Sequence, residues 1–223
     1  MFVGHYGVSF AARSTSVSVP LWVWFVAVQW LDLVFMTLAL AGVEKVRITA
    51  GFTESNDLDL YYMPYSHGLV GALILSVVFA GIVAAVFPAA RRPLGFGLVA
   101  FAVFSHWLLD LVMHTPDMPL LDDSSTKVGL GLWNHVAIAF PLELLVLGLG
   151  MLIYARSVEL VERSGRLILL AFFVLMALLQ VYGTFSPSPE SSAAFAGSAL
   201  AGYVLLAALA AWVERRVVVA HAR

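Results

Sequence analysis

Long apolar runs alternate with short polar segments along the chain, and this pattern sets the predicted architecture. Six runs approach or exceed the about 20 residues that an α-helix needs to cross a bilayer. They cover residues 20–42, 62–87, 93–114, 134–154, 167–185 and 193–213. Residues 1–13 are apolar but too short to span, so we expect a short N-terminal helix at the interface or tucked against the bundle. The pattern predicts an all-α, polytopic membrane helical bundle in which residues 1–223 form a single transmembrane domain.

The composition agrees with this architecture and excludes some functions. Hydrophobic residues make up 61% of the chain and charged residues 12%, about half the charged fraction of ordinary soluble domains. The net charge is −2, so we expect the lipid bilayer as a partner and no nucleic acid, which requires a basic surface. Cysteine is absent, which leaves His and carboxylate side chains as the ligands for any metal.

Basic residues are distributed unevenly between the two ends of the predicted bundle. With six spans, one side carries Lys45, Arg47 and Lys127. The other side carries Arg13, Arg91, Arg92, Arg156, Arg163, Arg166, Arg215, Arg216 and Arg223. Because Lys and Arg are enriched on the cytoplasmic side, both termini are predicted to be cytoplasmic, with the loops after the first, third and fifth spans facing outward.

The third span contains the most informative polar pattern. His106, Asp110 and His114 recur every four residues, and residues four apart lie on one face of a helix. We therefore predict a single polar stripe. Ionisable groups inside a membrane are costly unless they meet a partner, a water-filled cavity or a metal. A His and an Asp one turn apart also supply two metal ligands from one rigid helix.

Isolated ionisable residues on other spans fall at similar depths. At about 1.5 Å per residue, Asp32, His67 and Glu143 lie in the same outer half of the bundle as the stripe, which predicts a shared cavity. Imidazoles and carboxylates bind Zn²⁺ where thiolates are absent. Asp32 and His67 are therefore expected to complete a divalent-metal site, with Zn²⁺ as the favoured ion. Glu143 or Asp117 is the candidate general base.

Each of these residues also has a purely structural interpretation. His106 and Asp110 can form a hydrogen-bonded pair at a helix contact, His114 suits a helix C-terminus, and Asp117 suits a turn. Three other functions stay open for the whole set. They are a proton- or ion-coupled transporter, a b-type haem protein with His67 and His106 as axial ligands, and a non-catalytic membrane scaffold.

The order and spacing of these residues resemble the YdjM-like family of inner-membrane proteins, described as membrane-bound metal-dependent hydrolases. The resemblance covers about residues 4–121, and the spans within 134–213 have no counterpart in it. Its elements here are, in order, Gly4-His5-Tyr6-Gly7, Asp32, Ser66-His67, Ser105-His106, Asp110, Thr115-Pro116 and Pro119-Leu120-Leu121. The chain departs from the family where His-Arg often stands, which is here Tyr62-Met63, and where Asp-His follows Asp32, which is here Val34-Phe35.

The resemblance implies a metal-dependent hydrolase in the prokaryotic inner membrane. It would act on an ester or phosphoester of a small-molecule or lipid substrate reached from the membrane. It also adds His5 to the expected metal ligands, which are then His106, Asp110, His67, Asp32, His114 and His5. If the N-terminus is cytoplasmic, His5 joins an outward-facing site only if residues 1–13 insert into the bundle.

Overall fold

The computed structural model describes residues 1–218, and within them the chain folds into eight α-helices and two small antiparallel hairpins. The helices are α1 Val3–Arg13, α2 Leu21–Val28, α3 Trp30–Leu40, α4 Leu69–Val86, α5 Pro93–Met113, α6 Val136–Ser157, α7 Glu162–Phe185 and α8 Ser192–Val217. The strands are β1 Lys45–Ile48, β2 Leu58–Tyr62, β3 Met118–Pro119 and β4 Lys127–Val128. Arg223, one of the nine arginines predicted to be cytoplasmic, lies outside the described residues.

Helices α4 to α8 are each long and apolar enough to cross a membrane. Local sequence explains several of their ends. Pro93 occupies the first turn of α5, where a missing N–H leaves no hydrogen bond unmade. The Ser191 hydroxyl caps α8 by accepting a hydrogen bond from the Ala194 amide at 3.1 Å, as N-cap serines do. The prediction of an all-α membrane bundle is confirmed.

The predicted first span, residues 20–42, is instead two helices. Helices α2 and α3 meet at Gln29 with a bend of 54°. In an unbroken helix the Val28 carbonyl would accept from the amide four residues later. Here that carbonyl lies 2.6 Å from His106 Nδ1. A side chain from α5 thus contacts a carbonyl at the break, which is a recognised cause of helix kinks.

The predicted second span and the preceding loop also differ from the structure. Residues 62–68 are not helical, and α4 begins at Leu69. The segment predicted as a polar loop contains the β1–β2 hairpin. This hairpin segment meets the loop before α6 and the first turn of α8 at one end of the bundle. The Ser55 amide donates to the Trp133 carbonyl at 3.0 Å, and the Ser192 hydroxyl donates to the Val46 carbonyl at 2.8 Å.

Helix α1 lies inside the bundle, because two glycines let it approach α6. Val3, Tyr6 and Phe10 on α1 are at most 1% exposed. A Cβ added to Gly7 would lie 2.2 Å from the Val146 carbonyl oxygen, and one added to Gly150 would lie 1.9 Å from the Gly7 carbonyl oxygen. Small residues at such positions are how membrane helices pack backbone to backbone. The insertion required to bring His5 to the stripe is therefore present.

We expect Gly150→Ala to lower the free energy of unfolding by about 1–3 kcal/mol, because the added methyl overpacks a backbone contact. Gly148→Ala on the same helix is the matched control. Its Cβ would meet only the Phe173 ring at an ordinary 3.6 Å, so stability should stay constant or rise by up to about 1 kcal/mol. Denaturation in detergent measures both, and equal effects would contradict close α1–α6 packing.

Candidate metal centre

The predicted polar stripe is centred on Asp110, near the end of α5. His106 Nε2 lies 2.9 Å from Asp110 Oδ2, and His114 Nε2 lies 3.7 Å from the same oxygen. All three side chains are at most 3% exposed. The four-residue spacing therefore places these groups together, as the helical periodicity predicts.

Three other elements bring further ligand-type residues to the stripe. His5 of α1 places Nε2 3.3 Å from Asp110 Oδ1. His67, just before α4, places Nε2 3.5 Å from both Asp110 Oδ2 and Asp32 Oδ1. Asp32 of α3 is also 3.6 Å from His106 Nε2. All six residues predicted as metal ligands lie in this cluster, and their role as ligands stays a prediction.

Two overlapping groups within the cluster have spacings suited to a metal. One is His5, His106 and Asp110, and the other is Asp32, His67 and His106; within each, one ligand atom per residue lies within 4.8 Å of the others. Ligands bound at about 2.0–2.2 Å in a tetrahedral zinc site lie about 3.4 Å apart. Three of the distances, 3.3–3.6 Å, match that separation, whereas the 2.9 Å between His106 Nε2 and Asp110 Oδ2 is shorter.

Histidine nitrogen atoms that lack a hydrogen-bond partner also support a metal site in this cluster. Among the described residues, Nε2 of His5 and Nε2 of His106 are buried and have no hydrogen-bond partner. The rings of these two histidines stack, with centroids 3.9 Å apart. Buried polar atoms without a partner are rare and call for an explanation. A cation between the imidazoles and the carboxylates supplies one.

Three of the four histidines have their second ring nitrogen, Nδ1, held by another group, and His5 Nδ1 is buried without a hydrogen-bond partner among the described residues. His106 Nδ1 donates to the Val28 carbonyl, which has no hydrogen to offer, and His114 Nδ1 lies 2.9 Å from Asp117 Oδ1. A carbonyl or carboxylate behind the ring is the usual partner of a metal-binding histidine. It places the hydrogen on Nδ1 and leaves the Nε2 lone pair directed at the cluster.

His67 is oriented by Ser66, which is itself held by Glu44. The Ser66 hydroxyl lies 2.8 Å from His67 Nδ1 and donates to Glu44 Oε2 at 2.7 Å, so it accepts from the histidine. Glu44 Oε1 also accepts from the amides of Tyr65 and Ser66. Glu44 is 1% exposed. The sequence analysis missed this residue, because a glutamate in a polar loop gives no signal of burial.

Tyr203 is a second residue that the sequence analysis missed. Its hydroxyl on α8 donates to Asp32 Oδ2 at 2.8 Å. Asp32 Oδ1 is the oxygen that approaches His67 and His106. The tyrosine therefore fixes the carboxylate so that its other oxygen faces the cluster. A tyrosine in an Ala-rich span gives no sequence signal of such a role.

The two candidate bases lie at different places around the cluster. Glu143 Oε2 accepts from the amides of Phe2 and Gly4 at 2.7 and 3.2 Å, so it binds the start of α1. Asp117 contacts His114 through Oδ1 and accepts from the Thr115 hydroxyl through Oδ2. Each carboxylate thus orients a part of the site, and a role as general base stays a prediction for both.

A cavity of about 830 Å³ adjoins the cluster. Its polar floor contains Asp32, His67, Asp110, His114 and Glu143. Asp117 is not among the described residues that line it. The volume lies in the upper range of small-molecule sites.

The backbone nitrogen of Met1 lies 2.6 Å from Asp110 Oδ1. This is the carboxylate oxygen that approaches His5. The contact adds a fifth nitrogen-containing group to the four histidines around Asp110 and helps to offset the cost of burying its charge.

The geometry disfavours the haem alternative. Axial ligands hold iron from opposite faces of a porphyrin. Nε2 of His67 and Nε2 of His106 instead approach the same two carboxylates, and their ring centroids are 5.4 Å apart. A porphyrin between these rings would overlap the carboxylates.

Comparison with known proteins found no match to a family model, a curated protein or a solved structure. The fold and site therefore define a class, a helical membrane protein with a buried His/Asp cluster. The resemblance to the YdjM-like family stays a prediction.

Proposed function

We propose that the protein is a membrane-bound, metal-dependent hydrolase that cleaves an ester or phosphoester bond. The observation that carries the proposal is the convergence of four histidines and two aspartates on one space beside a cavity, with the far ring nitrogens of His67, His106 and His114 held by other groups. Helix packing does not require such a set. A bound divalent cation would offset the cost of burying its carboxylates in an apolar bundle.

The donor set favours Zn²⁺ and offers positions for up to two ions. His106 belongs to both ligand groups, and Asp110 presents one oxygen to His5 and the other to His106. These residues would hold such an ion, and the chemistry it would supply is a coordinated water with a pKa near 7 and polarisation of a phosphoryl or carbonyl oxygen.

The reaction balances as a simple hydrolysis. The water oxygen forms a bond to the phosphorus or acyl carbon, the bond from that atom to the ester oxygen breaks, and the departing oxygen takes a proton. Glu143 is the proposed acceptor of the first proton, because it is the candidate base that lines the cavity. Asp117, which contacts His114, is the alternative base.

The proposed location is the prokaryotic inner membrane, with both termini in the cytoplasm. Lys45, Arg47 and Lys127 lie at the end of the bundle where the two hairpins form. The nine arginines of the sequence analysis would then be cytoplasmic, as the positive-inside rule favours. The cluster would lie in the outer half of the bilayer.

Metal analysis of protein purified without added metal tests the first half of the proposal, and we expect about one or two divalent ions per chain. Hydrolysis of bis(para-nitrophenyl) phosphate and para-nitrophenyl acetate tests the second half. Activity should disappear with a chelator and return with Zn²⁺. Bound metal without turnover of either ester would contradict the hydrolase and favour the transport alternative, and absence of both would favour the scaffold.

A further inference from the structure

Much of the cavity lining on α7 and α8 is apolar. It includes Leu175 and Leu179 on α7 and Leu205, Leu206 and Leu209 on α8. None of these side chains has a polar atom to offer a ligand. Polar side chains also line the cavity on these helices, namely Gln180, Thr184, Ser198 and Tyr203. The cavity therefore combines the charged cluster with a lining that is apolar over much of α7 and α8.

The cavity is also long. On α8 it is lined from Ala194 to Leu209, a distance of about 22 Å at the helical rise. Tyr203, which marks the depth of the cluster, lies about 9 Å from Leu209 along the axis. Apolar space thus continues well beyond the reactive groups, further than hydrolysis of a small polar ester would require.

Residues on both α7 and α8 that line the cavity are also exposed at the surface of the bundle. Tyr182 is 71% exposed and Leu205 is 68% exposed, and both line the cavity. These two helices are candidate membrane spans, so a cavity opening at these exposed residues would face hydrocarbon. A molecule dissolved in the bilayer can enter there without first passing through water.

The loops above the cavity contact each other. The Ser188 hydroxyl, between α7 and α8, donates to Asp57 Oδ2, and the Gly51 amide donates to Asp57 Oδ1 at 2.7 Å. These hydrogen bonds lower the pKa of the Asp57 carboxyl, so it stays charged at neutral pH. The loop-side end of the cavity is therefore polar and partly bridged, in contrast to its lateral opening.

We infer that the substrate is a lipid whose hydrocarbon chain lies along α7 and α8, with its ester or phosphoester at the His/Asp cluster. This inference rests on the proposed function. Because the bilayer is as apolar as the cavity wall, moving a chain from one to the other costs little. A substrate without a chain would leave this long apolar space unfilled.

Two glycines allow the chain site to be blocked without a backbone clash. Gly202 on α8 and Gly183 on α7 line the cavity, and a Cβ added to either meets nothing within 4 Å. Gly202→Phe and Gly183→Leu would add side-chain volume at the cavity lining. Gly197→Phe is the matched control, because Gly197 is also on α8, its Cβ also meets nothing within 4 Å, and it is outside the described cavity lining.

The binding test uses Zn²⁺-loaded protein in lipid nanodiscs with two radiolabelled probes, hexadecylphosphonate and ethylphosphonate. We expect Gly202→Phe and Gly183→Leu to weaken hexadecylphosphonate binding by about tenfold or more and ethylphosphonate binding by less than about threefold. Gly197→Phe should change neither. Equal losses for both probes, or no loss for the long probe in either cavity variant, would overturn the inference.

A catalytic arm separates this inference from the proposed function. The substrates are hexadecyl para-nitrophenyl phosphate and ethyl para-nitrophenyl phosphate. If wild-type protein hydrolyses both and the cavity variants affect both alike, the hydrolase stands and the lipid inference falls. If neither is hydrolysed while long-probe binding still depends on Gly202, the lipid site stands and the hydrolase falls.

Discussion

Asp110→Asn is expected to abolish metal binding and, with it, hydrolysis. Asp110 is the only residue of the cluster whose two side-chain oxygens face different histidines, with Oδ1 near His5 and Oδ2 near His67, His106 and His114. Asparagine keeps the shape of the side chain but removes its charge and one acceptor oxygen. Removal of a group that only orients a metal ligand lowers metal affinity by up to about 100-fold. Because Asp110 is itself a proposed ligand, we expect its replacement to lower the affinity for Zn²⁺ by more than about 100-fold.

Asp123→Asn provides the control for this substitution. Asp123 pairs with Lys127 at 2.7 Å at the protein surface, and such pairs contribute little. Metal content by mass spectrometry and turnover of bis(para-nitrophenyl) phosphate should match wild type in this variant. Full metal content in Asp110→Asn would mean that the cluster is not a metal centre.

His5→Ala is expected to remove one ion and leave the other. His5 belongs to the group with His106 and Asp110, whereas the second group, Asp32, His67 and His106, does not include it. If the protein binds about two ions per chain, the variant should bind about one. Turnover should fall by more than about tenfold if both ions act on the same substrate.

His135→Ala is the matched control for His5→Ala. His135 is exposed just before α6 and belongs to neither ligand group. Its replacement should change neither metal content nor turnover. If His5→Ala retains the wild-type metal content, α1 has only a packing role and the mononuclear group of Asp32, His67 and His106 is sufficient.

Short-range sequence patterns predicted the helices well. Each of the predicted spans 93–114, 134–154, 167–185 and 193–213 has a helix at its place. Long apolar runs give this result because a bilayer permits few ways to satisfy the backbone except an α-helix. The stripe on α5 was predictable for a related reason, since helical periodicity alone places residues 106, 110 and 114 on one face.

Contacts between distant segments could not be predicted in the same way. The bend at Gln29 depends on the contact between the Val28 carbonyl and His106, which lies 78 positions after Val28 in the chain. The insertion of α1 depends on Gly7 meeting Gly150. Glycines occur throughout this chain, and nothing local distinguishes these two from Gly148 or Gly197.

The sequence by itself determined that this is a membrane-spanning helical bundle and that one helix carries a His/Asp face, because length, hydrophobicity and helical period act locally. Only the tertiary structure decided which residues meet that face. Helix packing brings His5, Asp32 and His67 to Asp110, and it places Glu44 and Tyr203 behind them. Those positions depend on backbone-to-backbone approach across the bundle, which no single stretch of the chain encodes.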